Sequence, residues 1–507
     1  MTATRRRNRR VGGGVPRLPW RNLVNPFRPV EILSDDQIEI IHRASLRILA
    51  EVGMEVLGDR AIDLLARAGA AVDRGIRRVR LDPAMVEETI RTAPSAFRVH
   101  ARNPERTITI GGRNLVFTSV GGPAFVTDLD RGRRPGNVAD FVDYVRVIGA
   151  LDVIHMEAGG PLEPTDLPVP TRHLEMYRIL ATTLDKTWQC LGFGRVPVDD
   201  AIEVMALARG VDHETLIREP SLMTIINSNS PLRLDGPMSE GLIEMAIHGQ
   251  PVVVTPFTLA GAMSPVTIAG ALAEQNAEAL FMVVLTQLAR RGAPVVYGGF
   301  TSNVDMRTGS PAFGTPEYVK AAFATGQLAR RYGLPFRSSN VTGSNVVDAQ
   351  AAYESEMAVW GAVMGGVNLL YQGAGWLEGG LTASYEKLIL DAEILQMMSE
   401  VLQPLVINDA EIGVDAIAAV GPGGHFFGSA HTLERFENAF YQPMLADWRN
   451  FETWQDGGSQ TAAERANGIW KHLLAEFEAP AMDPGAAEAI DAFVARRRRE
   501  IEATVVG

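Results

Sequence analysis

The sequence predicts a closed (β/α)8 barrel, and three observations predict it. Short apolar runs ending in polar or glycine-rich residues recur along the chain, each followed by a longer stretch of helical pattern. Eight such units can be placed, starting roughly 30 to 45 residues apart, the spacing of βα units that carry loop insertions. The runs are nearly continuous in apolar content, as in VVVTPF and NLLYQ, which suits parallel strands covered on both faces. A doubly wound open sheet is the rival; no G-x-G-x-x-G turn follows the first run, and the unit count is eight.

Taken in order, residues 1–33 with arginines clustered at 5–10 read as a disordered, solvated basic tail, with a nucleic-acid or membrane contact as the alternative. Ser34-Asp35-Asp36-Gln37 has a hydroxyl at the cap and an amide three residues on, so a helix is predicted to begin there. Further helices are expected over 59–68 and 83–92. The segment 107–128, with ITIGG, NLVFTS and AFVTD broken by glycines, reads as a β-hairpin or small meander. Together these form an N-terminal region, 34–150. The barrel is expected over 151–433, with strands at 153–157, 187–193, 222–227, 252–257, 295–300, 336–340, 368–372 and 415–420. A helical C-terminal extension, 434–507, carries the run Arg496-Arg497-Arg498-Arg499, expected to cap a helix end.

Bulk properties exclude several functions. A chain of 507 residues with 46% hydrophobic content can bury a large core. Its net charge of −12 disfavours nucleic acid as the main partner, because phosphate binding needs a basic surface. Cys190 is the single cysteine, which rules out an intrachain disulfide and a thiolate-rich metal centre built by this chain alone. No run reaches the roughly 18 apolar residues that span a bilayer. No hydrophobic segment follows the N-terminal arginines, so a cytoplasmic protein without a membrane partner is expected.

In a barrel the chemistry sits where strands run out into loops, so the strand-end residues form one set. Glu157, Asn227, Phe257, Tyr297, Phe300, Tyr371 and Trp376 are the candidates for binding a substrate. The strand-end set is rich in rings and neutral amides and poor in lysine and arginine, which points to a cation, and a quaternary ammonium fits. Each well-placed ring would contribute about 0.5 to 2 kcal/mol. The alternative for any one ring is barrel core. Glu157 or Glu378 could balance the cation or serve as a structural acceptor, and Asn227 could hold a substrate carboxylate or its water. No metal is expected: His155, Glu157, His425 and His431 are conceivable ligands, but a His-x-His on the first strand is absent. Gly421-Pro422-Gly423-Gly424 could be an anion nest, a point of close approach, or a tight turn.

Several long motifs carry a family resemblance. VVYGGFTSNVDMRTGSPAFGTPEYVKAAFATGQLARRYGLPFRSS, DAQAAYES from Asp348, GAGWLEGGLTASYEKL from Gly373, GPGGHFFGSAHT from Gly421 and GGPAFVTD at Gly121 resemble the trimethylamine methyltransferase family. The resemblance implies a (β/α)8 enzyme that moves a methyl group from a methylated amine to the cobalt of a corrinoid (cobalamin) carried by a separate, cognate protein. Founding members carry pyrrolysine on the sixth barrel strand, shortly before the stretch corresponding to Asp348-Ala349-Gln350-Ala351; this chain has Val341-Thr342-Gly343 in that register. The departure favours a quaternary amine such as glycine betaine, because a permanent charge lets nitrogen leave as a neutral tertiary amine without further activation. The resemblance also places Asn340, Ser344 and Asn345 near the methyl group or the corrinoid face; with them Glu378, as a balancing carboxylate, is a catalytic candidate, and Gly423 and His425 are candidates for the corrinoid-facing rim. Trimethylamine transfer proper, a metal-dependent barrel hydrolase and a non-catalytic amine-binding barrel are the other readings, and a homo-oligomer is compatible with the acidic surface.

Overall fold

In the computed structural model, which describes residues 14–506, eight parallel strands close on one another. They are β1 (Asn114–Ser119), β2 (Met156–Glu157), β3 (Thr187–Gln189), β4 (Leu222–Ile226), β5 (Val252–Val254), β6 (Val295–Gly298), β7 (Phe336–Ser339) and β8 (Leu369–Ala374). Closure is made by β8 against β1, with Leu369 opposite Val116 and Leu370 opposite Phe117. The helices that follow the strands are α1 (Val138–Ala150), α2 (Arg172–Thr183), α3 (Arg195–Arg209), α4 (Gly236–Ile247), α5 (Ile268–Ala289), α6 (Pro316–Tyr332), α7 (Ala349–Met364) and α8 (Tyr385–Val401). The (β/α)8 barrel is therefore present, and its strands alternate as the pleat demands. Val116, Met156, Met223, Val253, Val296 and Leu369 fill the interior, while Val252, Val254, Tyr297 and Leu370 pack outward with the helices.

Seven of the eight expected strands form, but the ends of the register differ. NLVFTS, read from sequence as part of a hairpin or meander, is the first barrel strand, hydrogen-bonded to both β2 and β8. The hairpin is instead made by Ala96–Val99 and Ile108–Gly111, whose Val99, Ile108 and Ile110 join the interior cluster and close the barrel's floor. The expected strand 415–420 lies within the helix Val414–Val420, bounded by the left-handed Gly413 and by Gly421. Its alanines favour helix, and with no neighbouring strand left unpaired it has no ladder to join. The strand carrying Phe336–Ser339 is thus the seventh rather than the sixth.

At the N-terminus the capping box at Ser34 forms as expected, opening the helix Asp35–Arg47, and the helices Asp59–Arg67 and Pro83–Ile90 follow. The tail expectation needs correction from residue 14 onward. Leu23–Val24 pairs antiparallel with β1, the Leu18 N–H donates to Gln396, and Asn25 Nδ2 donates to Val363 O at 2.8 Å. The arginine cluster at 5–10 lies outside the described residues. Nor does the run at Arg496 cap a helix: it lies inside Pro484–Val506, where Arg497 pairs with Asp200 of α3 at 2.7 Å and Arg498 with Glu175 of α2 at 3.2 Å.

Although its apolar residues are broken by Glu274, Gln275, Asn276 and Glu278, α5 is by length and average composition apolar enough to cross a membrane, which the sequence expectation missed; it is largely buried within the molecule, next to the N-terminal helices. By contrast, the stretch 405–451 exposes Leu405, Ile407, Phe427, Phe440, Trp448 and Phe451. Among the described residues, the hydrogen bonds and ion pairs of 405–440 run within that stretch, as between Arg435 and Glu411.

Candidate active site

Above the C-terminal ends of β5 and β6 the chain adds a small sheet. Phe257–Ala260 runs parallel to Phe300–Val304, which pairs antiparallel with Pro311–Ala312. This sheet holds two rings side by side, and the loops after β6 and β8 bring two more. Phe300 lies at the centre, 5.1 Å from Phe257, 5.4 Å from Phe313 and 5.4 Å from Trp376 between ring centroids, and Phe313 is 5.7 Å from Trp376. Phe257 is only partly buried and Trp376 almost wholly so. Sequence reading named Phe257, Phe300 and Trp376 but missed Phe313; the turn-rich setting SPAFGTP gave its ring no strand to be assigned to.

Directly below this cluster is Arg337, on β7, which points into the barrel and is 1% exposed. Its guanidinium lies 5.3 Å from the Phe300 ring and 4.9 Å from the Tyr371 ring, and its Nη1 donates to Gly299 O at 3.3 Å. Gly298 makes the room: a Cβ there would sit 3.2 Å from Arg337 Cδ and 2.6 Å from Thr255 Oγ1. Burial lowers the Arg337 pKa to about 10, so it is charged at neutral pH. The strand-end set is therefore not free of cations. The signal was available, because in FRSS the residue that alternates inward is the arginine.

The remaining sequence candidates divide sharply. Tyr371 is inside the barrel, its hydroxyl 2.8 Å from Ala158 O and 2.7 Å from Gln189 Oε1. Asn227 is partly buried just past the end of β4, in phase with the inward Met223 and Ile225. Tyr297 does not join the mouth: its hydroxyl donates to Asn276 of α5 at 2.7 Å and its ring packs on Tyr332 of α6, because residue 297 falls on the outward phase of β6. Glu157 is likewise on the outward phase, paired in register with Trp188, and accepts N–H donors from Gly159 (3.0 Å) and Gly160 (2.7 Å). Burial raises its pKa to about 8, so at neutral pH it is mostly uncharged and a poor counter-ion.

Asn340 donates to Gly373 O at 2.9 Å, tying β7 to β8. Ser344 is held in its loop by Val346 O and by Glu354 of α7, whereas Asn345 is exposed. Glu378 pairs with Arg133 at 2.8 Å, so its charge is already balanced. Gly423 and His425 are exposed in the loop after the helix Val414–Val420, and not at a strand end. His155 has both ring nitrogens engaged, Nδ1 by Phe117 N–H at 3.0 Å and Nε2 by Arg21 O at 2.9 Å; burial lowers its pKa to about 4. Asp199, Glu244 and His248 form a ligand-like cluster on the outer helices, where Arg60 and Arg195 already face Glu244.

α5 contributes two buried acids beside the mouth. Glu278 anchors the loop after β4 through Ser228, Ser230 and the Leu232 N–H. Glu274, one turn earlier, has an unpartnered buried Oε1, and burial with Glu278 nearby raises its pKa from 4.5 to about 7. A folded-state pKa above the unfolded one means the native state holds the proton more tightly. Its contribution is then complete below about pH 4.5 and disappears as pH rises through about 7. Glu274→Gln is expected to stabilise the protein at pH 8.5 by on the order of 2 kcal/mol and to change little at pH 4.5. Urea unfolding at the two pH values checks this.

A (β/α)8 barrel whose rings and one buried cation gather where the strands end is the architecture of a barrel enzyme. Residues 2–502 match the trimethylamine methyltransferase (MTTB) family, and the chain belongs to that family; it is a methyltransferase. It is 36% identical over 471 residues to the glycine betaine methyltransferase of Desulfitobacterium hafniense strain Y51, covering 93% of this chain and 98% of that one. Identity to the trimethylamine methyltransferase MttB of D. hafniense strain DSM 10664 / DCB-2 is 29% over 436 residues, 85% of this chain and 87% of that one. The crystal structure of the monomethylamine methyltransferase of Methanosarcina barkeri aligns with a TM-score of 0.49 at 9% identity, over 89% of this chain and 90% of that one.

Proposed function

We propose that this methyltransferase takes a methyl group from a quaternary ammonium compound held at the aromatic mouth and passes it to a corrinoid carried by a separate protein. The observation that carries the reading is the Phe257–Phe300–Phe313–Trp376 cluster at the open end of the barrel. Rings attract a fixed positive charge without quenching it. A quaternary nitrogen keeps the electrons of the broken C–N bond and departs as a neutral tertiary amine, so the protein needs only to position and desolvate it. Similarity to a relative named a glycine betaine methyltransferase supports the same substrate class.

The rim suits a broad, flat group brought by a partner. Gly122 and Gly194, in the loops after β1 and β3, face open space where a Cβ would meet no atom within 4 Å. Seven of the eight loops that follow strands expose a large apolar side chain: Leu129, Val169, Phe193, Val266, Met306, Val346 and Leu381. That ring supports a protein docking over the mouth. The corrinoid would supply the Co(I) nucleophile that accepts the methyl group. The chain itself would hold the ammonium with one N-methyl facing outward and exclude water around it. Phe193→Asp with Met306→Asp is expected to slow methylation of the partner about 10- to 100-fold while leaving substrate affinity unchanged; parallel kinetics and calorimetry separate the two.

Mixing the protein with reduced cobalamin and a panel of glycine betaine, carnitine, choline and trimethylamine, and following the loss of Co(I) absorbance, tests the reaction. Turnover with a quaternary compound is expected. Turnover with trimethylamine alone would overturn the reading. The apolar stretch 405–451 supports a homo-oligomer in which it is covered by a second copy, and a light-scattering mass of a single chain would exclude that. We place the reaction in the cytoplasm, where a one-cysteine acidic chain needs no disulfide.

A further inference from the structure

We infer that Arg337 is a carboxylate receptor, so that the substrate of this site is a zwitterion: a quaternary ammonium joined by a short link to an acid group. The inference rests on the reading of the mouth as a quaternary-amine site and names what the other end of the molecule must be. Arg337 is a fully buried guanidinium with no carboxylate paired to it among the described residues; the titratable groups beside it are the phenols of Tyr318 and Tyr371, which burial keeps neutral. Removing a cation from water without an anion is costly, and proteins rarely retain such a group unless a ligand completes it.

Unpartnered polar atoms share the inner face of the barrel with it. Arg337 Nε itself, Thr255 Oγ1, Ser339 Oγ and one end of the Gln189 amide are buried without a hydrogen-bond partner. All four belong to the barrel or its rim: Thr255 flanks Gly298 beside Arg337, Ser339 is two residues along β7, and Gln189 reaches Arg337 through Tyr371. A carboxylate is acceptor-only, so it can take the guanidinium N–H together with a hydroxyl and an amide N–H. Phe300 lies between the two functions, 5.3 Å from the guanidinium and in contact with the upper rings. One short molecule can therefore put its anion on Arg337 and its cation on the rings.

Calorimetric binding to the purified protein tests this without the partner. Three probes of similar shape are compared: glycine betaine, with both charges; choline, with the ammonium only; and 3,3-dimethylbutanoate, with the carboxylate only. Glycine betaine is expected to bind at least 10-fold tighter than choline. Arg337→Met should weaken glycine betaine about 100-fold and choline less than threefold, while Arg337→Lys should recover part of the loss. Thr255→Val, which keeps shape and fold, should weaken glycine betaine several-fold and spare choline. Equal affinity of the wild type for glycine betaine and choline, or a preference unchanged in Arg337→Met, would overturn the inference. Arg337-dependent binding of 3,3-dimethylbutanoate as tight as that of glycine betaine, with none of choline, would instead uphold the arginine's role and remove the ammonium reading of the rings.

Discussion

Trp376→Leu is expected to raise KM for the proposed quaternary substrate about 100-fold and to leave kcat nearly unchanged. The indole packs 5.4 Å from Phe300 and 5.7 Å from Phe313, and its Nε1 has no hydrogen-bond partner, so nothing polar is lost in the exchange. A desolvated cation–π contact contributes about 2 kcal/mol and an aromatic pair about 0.5–1.5 kcal/mol, and each 1.4 kcal/mol is tenfold. The division between KM and kcat follows from where the charge is. In the proposed quaternary substrate nitrogen is fully positive when bound and becomes neutral as the methyl group departs, so the rings favour the ground state at least as much as the transition state. Steady-state kinetics of Trp376→Leu beside Trp376→Phe, which keeps a ring, check the split. A fall in kcat with constant KM would mean that the indole acts on the methyl group instead.

The barrel was legible from its periodicity because parallel strands sealed between core and helices need continuous apolar runs, and seven of them could be located to within a few residues. β1 was hidden by its surroundings: glycines and short β segments on both sides of NLVFTS are what a meander also requires, and only long-range pairing with β8 distinguishes the two. The helix Val414–Val420 reads as a strand because a mostly apolar segment of seven residues, VDAIAAV, has no period long enough to decide. At the site, residue type was easier to read than direction. Phe300 and Trp376 were recognised as rings at the mouth, but Tyr297 and Glu157 fall one residue out of phase and face the helices. Arg337 was hidden by the opposite circumstance: in FRSS the residue types alone look like a polar strand end, and only the alternation of β7 turns the arginine inward.

Lys387→Met is expected to destabilise the protein by about 3–5 kcal/mol, and Lys387→Met combined with Asp391→Leu to restore most of that loss without restoring affinity for substrate. The two side chains form a fully buried ion pair on adjacent turns of α8, with Lys387 Nζ also donating to Ser355 of α7 at 2.8 Å. Burial lowers the lysine pKa and raises that of the aspartate, so each depends on its partner to stay charged. Removing the ammonium alone strands a carboxylate in the interior, whereas removing both leaves an apolar contact of similar volume. The pair has a second consequence, because Asp391 Oδ2 accepts the Gly375 N–H at 2.8 Å. Gly375 has a φ of +107°, and the missing Cβ is where the Tyr144 hydroxyl lies, so the turn from β8 to Trp376 is held from both sides. In the double variant the fold is repaired but this anchor is gone, and Trp376 loses its fixed position against Phe300. Urea midpoints report the first effect and calorimetric affinity for glycine betaine the second. Full recovery of both in the double variant would show that the buried pair serves stability alone.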